Sequence, residues 1–162
     1  MKFRKAISAD LEIINEIFKE GSRSLGALGV DQWQGSTVPV AEDEKGFYVL
    51  EDGEEVTAVA LIMDYDPQYD MIYDGQWNYD ENYVAVHKLA TKITSKRKGY
   101  GSTLLREIEK LAMDKGVYVI RIDTHRDNLP MNNLLIKQGY KRAGRIELID
   151  GGKRVAYDKK LI

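Results

Sequence analysis

Apolar residues return along this chain with two periods, and each predicts a different element. Leu11, Ile13, Ile14, Ile17 and Phe18 recur at the spacing of a helix with one buried stripe, as do Leu104, Leu105, Ile108, Leu111 and Ala112. Ser8 stands where an N-cap is expected, Asp10 falls in the first turn, and Gly21 marks the end of that helix. Residues 22–28 then read as a second short helix. Ser102 opens the later helix, and Lys115-Gly116 supplies its stop. Short runs rich in β-formers, bounded by turn residues, predict strands over residues 2–6, 46–50, 56–63, 82–91, 117–123, 140–149 and 154–161. Glu51-Asp52-Gly53-Glu54 joins the second and third into a hairpin, and Asp150-Gly151-Gly152-Lys153 joins the last two. Asn128-Leu129-Pro130 starts a third helix, with Met131, Leu134 and Leu135 as its apolar face and Gly139 at its end.

The strand over 82–91, the following glycine turn, the helix and the strand over 117–123 make a βαβ unit. Such a unit forces a parallel pair joined by a right-handed crossover. With no repeat or linker, the expectation is one mixed α/β domain over residues 1–162. Residues 64–81 are acidic and tyrosine-rich, with Trp77 among them. They read as a long loop over one end of the sheet, either a substrate wall or a packed surface excursion. Trp33, in Val30-Asp31-Gln32-Trp33-Gln34, either covers core or lines a cleft.

Composition narrows the chemistry. A net charge of −2 lacks the basic footprint of a general nucleic-acid binder, so any anion site must be local. The densest basic cluster is Lys96, Arg97 and Lys98, directly before Gly99-Tyr100-Gly101-Ser102. Two glycines one residue apart allow a tight turn and a close backbone approach. The helix they feed offers unpaired N–H groups at the positive end of its dipole, which suits a phosphate. The alternative is a solvated basic loop before an ordinary amphipathic helix. The spacing differs from that of a P-loop, which argues against a nucleotide-phosphate binder of that type. The absence of cysteine removes disulfides, thiol nucleophiles and Cys-ligated zinc, and no metal site is expected. Neither a signal peptide nor a membrane span is visible, so a cytoplasmic location is the expectation, with no membrane partner.

On these residues the chain resembles the GCN5-related N-acetyltransferase (GNAT) superfamily over nearly its full length. The family's acyl-CoA signature, Gln/Arg-x-x-Gly-x-Gly/Ala, is matched at both glycines by Lys96-Arg97-Lys98-Gly99-Tyr100-Gly101, with lysine in the first place. A later family pattern, Asn, an apolar helix, then Gly-Phe/Tyr, is matched by Asn128, Met131, Leu134, Lys137, Gly139 and Tyr140. The resemblance implies a mixed sheet flanked by helices, with splayed parallel fourth and fifth strands. It implies acetyl-CoA as acyl donor and an amine, unidentified, as acceptor. Leu89, Ala90 and Thr91 would pair with the pantetheine as an added strand. Arg97, Lys98, Gly99, Tyr100, Gly101 and Ser102 would cradle the pyrophosphate. Asn128 would flank the pantetheine and thiol, although it is also a good helix cap, and Lys137 would lie toward the adenosine. A homodimer is a common assembly in the family.

One departure stands out. The tyrosine that reprotonates the CoA thiolate in many family members falls, by motif register, on Leu135. Water, Tyr100, Tyr140 or no protein group would replace it. An acceptor amine must also lose a proton before its nitrogen can attack. His87, Asp123 and His125 are the candidate bases, the last two sharing a strand face if extension continues that far. By register, Asp123 matches a position where some protein-modifying members of the family carry a catalytic carboxylate. The expected activity is acetyl transfer to a primary amine by direct attack in a ternary complex; the alternative is a non-catalytic acyl-CoA-binding module. Asp31, Trp33, Trp77 and the acidic stretch hint at a cationic acceptor.

Overall fold

The structure, a computed structural model, describes residues 1–93 and 98–162 of the chain. Its strands are β1 (Lys2–Lys5), β2 (Phe47–Asp52), β3 (Glu55–Met63), β4 (Val84–Thr91), β5 (Val119–Thr124), β6 (Lys141–Glu147) and β7 (Lys153–Lys160). Its helices are α1 (Leu11–Ala27), α2 (Tyr100–Asp114) and α3 (Leu129–Lys137). The strands form a seven-stranded mixed sheet in the order β1-β2-β3-β4-β5-β7-β6. The chain divides into two compact units, Met1–Ile62 with Lys88–Glu107, and Met63–His87 with Ile108–Ile162.

In the first unit, β1, β2 and β3 form an antiparallel meander. Ile14, Ile17 and Phe18 of α1 are fully buried against Phe47, Val49 and Val59. Burying each such side chain contributes roughly 1.5–3 kcal/mol. Arg4 locks the chain entry, its guanidinium reaching Asp10 at 2.7 and 3.0 Å while Nε donates to Glu51 at 2.8 Å. The bond from Arg4, the largest influence, brings Asp10 below the usual carboxylate value although burial opposes it. Asp10, rather than Ser8, does the capping: its carboxylate accepts from the Ile7 amide at 2.8 Å.

The expected second helix over 22–28 is instead the end of α1, which runs unbroken to Ala27. Gly21 serves packing, not termination. A Cβ there would lie 3.1 Å from the Trp33 ring, which also meets Phe18 edge-on at 5.7 Å. Trp33 thus covers core.

In the second unit, β5 runs parallel to β4, with Val84, Ala85 and Val86 opposite Ile120, Arg121 and Ile122. On its other side β5 pairs antiparallel with β7 along its whole length, from Val119 to Thr124. Side chains alternate across this sheet. Ile122 and Thr124 share a face with their partners Tyr157 and Val155, and Tyr157 donates to Asn132 of α3 at 2.5 Å. Val119, Arg121 and Asp123 share the other face with Ala85 and Ala156, and this face is covered by residues 64–81.

That long stretch is a packed excursion. The carboxylate of Asp158, fully buried on β7, accepts from the Asn78 amide (2.8 Å), the Asn78 side chain (2.7 Å) and the Tyr79 amide (3.1 Å). Arg121 lies between the Trp77 and Tyr83 rings, 4.2 Å from each, and donates to the Tyr79 carbonyl. Gly75 admits a close backbone approach to β6: a Cβ on it would sit 2.1 Å from the Ala143 carbonyl oxygen.

Candidate active site

The face of β5 that carries Asp123 gathers a polar cluster within the second unit. Tyr69, buried in the excursion, donates its hydroxyl to Asp123 Oδ2 at 2.6 Å. His87, the residue after the last paired position of β4, falls on the same face as Asp123. Its ring centre lies 5.5 Å from that of Tyr69, and its Nε2 is 2.8 Å from Asp66 Oδ2 without hydrogen-bond alignment. Asp66 also accepts from the Gln68 amide at 2.9 Å, and its own amide donates to the Tyr83 hydroxyl at 3.0 Å.

The two carboxylates are driven in opposite directions. Burial, the dominant effect, raises the Asp123 carboxyl above the ordinary value, and nearby Asp66 adds to this. The Tyr69 hydroxyl, with His87 and Arg154 nearby, works against the rise without cancelling it. Burial pushes Asp66 up as well, but the His87 contact and the Gln68 amide outweigh it and leave Asp66 below the usual range. Tyr69 is pushed well above 10, first by burial and then by Asp123, so it remains a donor. The arrangement supplies one carboxylate with enhanced proton affinity and one that stays ionised beside an imidazole.

His125 stands apart from that pair. β5 ends at Thr124, so extension does not reach His125. Its Nδ1 accepts from the Asp127 amide at 3.0 Å, bracing the turn into α3. Among the described residues no hydrogen bond or ion pair joins His125 to Asp123 or His87. Asn128 caps α3, its Oδ1 accepting from the Met131 amide at 3.3 Å. Asn132 braces the same turn by donating to the carbonyls of His125 and Asn128. Lys137 is exposed in the last turn of α3.

Leu135 is fully buried and carries no proton. The Tyr140 hydroxyl is spent on Glu109 at 2.9 Å, and burial foremost holds it well above 10.

The first unit holds the other predicted residues. Lys88 has a φ of +53°, a left-handed conformation inside a strand that breaks the regular pleat. Leu89 and Ala90 follow, buried, and Thr91 is half-buried. Gly99 has a φ of +76° with open space where a Cβ would stand, and its carbonyl accepts from Thr103 at 3.0 Å in the first turn of α2. Lys98 is exposed, while Gly101 and Ser102 are half-buried in that turn. A glycine in this conformation, feeding a helix of 15 residues, fits an anionic ligand that approaches the backbone. Tyr100 is buried and bonds its hydroxyl to Asp52, which raises its proton affinity. Arg97 lies outside the described residues, as do Ser95 and Lys96.

Asp66 and Tyr69 escaped sequence reasoning because no spacing rule connects them to residues on β4 and β5. The available signal was the density of tyrosines in residues 64–81.

The chain is similar to a GNAT-family acetyltransferase from Streptococcus agalactiae, with 26% identity, a TM-score of 0.84, and coverage of 98% of this chain and 94% of that one. It shares its fold with a GNAT-family acetyltransferase from Listeria monocytogenes (19% identity, TM-score 0.74, coverage 99% and 94%). A Salmonella typhimurium protein solved with its cofactor acetyl-CoA also has this fold (18% identity, TM-score 0.66, coverage 100% and 94%). No curated protein matches the chain. The profile of the Acetyltransferase (GNAT) family matches residues 11–140, and with that match over most of its length the chain belongs to the GNAT acetyltransferase family.

Proposed function

We propose that the protein transfers the acetyl group of acetyl-CoA to a primary amine by direct attack, with Asp123 as the general base. The observation that carries this reading is the Asp123 carboxyl, raised by burial and held by Tyr69 beside His87, in a chain of an acetyltransferase family. A primary alkylamine is mostly protonated at neutral pH, and its lone pair is then unavailable. A carboxylate with raised proton affinity takes that proton more readily than an exposed aspartate does. The freed nitrogen adds to the thioester carbonyl carbon, and collapse of the tetrahedral adduct breaks the C–S bond and expels the thiolate. With Leu135 buried and Tyr140 bound to Glu109, water protonates that thiolate.

Donor use is supported by the Salmonella typhimurium relative in fold, which holds acetyl-CoA. In this chain the residues for the donor are Leu89, Ala90 and Thr91 past the Lys88 irregularity, and Lys98, Gly99, Gly101 and Ser102 at the start of α2. A second reading, acyl-CoA binding without catalysis, is favoured by one observation: Leu135 stands where a proton donor is expected. Thiol release from acetyl-CoA, followed across a panel of polyamines, amino sugars, amino acids and peptide N-termini, separates the two. Release that requires an amine supports transfer. Saturable acetyl-CoA binding with no release above background for any amine supports the second reading.

A further inference from the structure

We propose that Tyr69 is a positioning residue that sets the proton affinity of Asp123, making the 64–81 excursion a working part of the base. The inference rests on the reading of Asp123 as that base. Its observations are geometric. The Tyr69 hydroxyl donates to Asp123 Oδ2 at 2.6 Å across 54 residues of sequence. Tyr69 itself is held firmly: Trp77 Nε1 donates to its carbonyl at 2.9 Å, and its ring packs against those of Trp77 at 5.2 Å and Tyr83 at 6.1 Å. With 1% of its surface exposed, Tyr69 is too deeply enclosed to touch substrate. Its role must run through the carboxylate it holds.

The charged and titratable groups around Asp123 come from three directions. Tyr69 and Asp66 belong to the excursion, His87 to β4 and Arg154 to β7. A hydroxyl that donates to a carboxylate favours the ionised form. Tyr69 therefore restrains the rise that burial imposes on Asp123. Removing only the hydroxyl, in Tyr69→Phe, should move the Asp123 midpoint upward by about one to two pH units, the size expected for one hydrogen bond to a charged group. The ring and its packing stay.

The test is a titration of the Asp123 carboxyl carbon by NMR in 13C-labelled protein, assigned by its loss in Asp123→Asn. The expected result is a higher midpoint in Tyr69→Phe and a matching shift of the acidic limb of kcat/KM. An unchanged midpoint in the folded variant overturns the inference. Should Tyr69→Phe not fold, the wild type decides: the Tyr69 ring resonance next to oxygen should titrate with the Asp123 midpoint, and its silence overturns the inference. The NMR readout needs no turnover. A shifted midpoint with no acetyl transfer to any amine would remove the catalytic reading while leaving the coupling between Tyr69 and Asp123 standing.

Discussion

Asp158→Ala should unfasten the excursion that carries Asp66 and Tyr69, and its cost follows from the bonds it breaks. The fully buried Asp158 carboxylate accepts from two backbone amides, Asn78 and Tyr79, and from the Asn78 side chain. Hydrogen bonds to a charged group are worth about 1.5–3 kcal/mol each. Their simple sum overstates the loss, because water can reach part of the vacated space and Asn78 can turn outward. Removal of one member of a buried charged network typically costs about 3–5 kcal/mol. The same range is expected here, since Arg121, buried and flanked by Trp77 and Tyr83, also loses a favourable carboxylate. At roughly 2–4 °C per kcal/mol for a domain of this size, Tm should fall by about 6–20 °C. Urea unfolding with the m-value checked for constancy measures the free energy directly. Asn78→Ala, which spares both amide bonds, should cost less, and the double variant should cost less than the two singles added. A stability within about 1 kcal/mol of wild type, at equal m, would show that Asp158 does not fasten the excursion.

Gly101→Val should place a branched side chain in the first turn of α2 and weaken CoA binding by about tenfold or more, read by calorimetric titration of the folded variant; equal affinity would remove this turn from the donor site. Leu135→Tyr should not restore a proton donor: Leu135 is fully buried, so the larger side chain should cost about 1–3 kcal/mol without a gain in kcat, and a more active, equally stable variant would contradict the packing. Asp123 and Asp10 should affect stability with opposite pH dependence. Asp123 is raised, so its contribution is present below the unfolded carboxyl value and lost as pH rises through the folded one; Asp123→Asn should therefore be at least as stable as wild type at neutral pH, with no advantage in acid. Asp10 is depressed, so its contribution is present at neutral pH and lost as pH falls through the folded value; the penalty of Asp10→Asn should shrink in acid, and thermal melts across pH would expose a wrong sign in either case.

Periodicity placed the elements well where local pattern and tertiary packing agree. The α1 stripe of Ile14, Ile17 and Phe18 is buried as expected, and the parallel pairing of β4 with β5 followed from the intervening α2. Gly21 misled because a glycine that ends a helix and one that admits a neighbouring ring look alike in sequence. The cluster at Asp123 was half legible. His87 and Asp123 could be placed by strand register, while their partners Asp66 and Tyr69 come from an irregular stretch with no period to read. Trp77, a candidate for an acceptor wall, instead stacks on Arg121 and donates to Tyr69; a tryptophan that closes a core looks the same in sequence as one that lines a cleft.

The claim that Asp123 is the base is tested most directly by kcat/KM against pH for wild type, Asp123→Asn and His87→Ala, with the amine that the panel identifies. Wild type should show an acidic limb that disappears in Asp123→Asn together with a fall of about a hundredfold or more. In His87→Ala the limb should persist and shift upward, because the nearby imidazole favours the ionised carboxylate. A folded Asp123→Asn enzyme with near-wild-type rates and an unchanged acidic limb would contradict it.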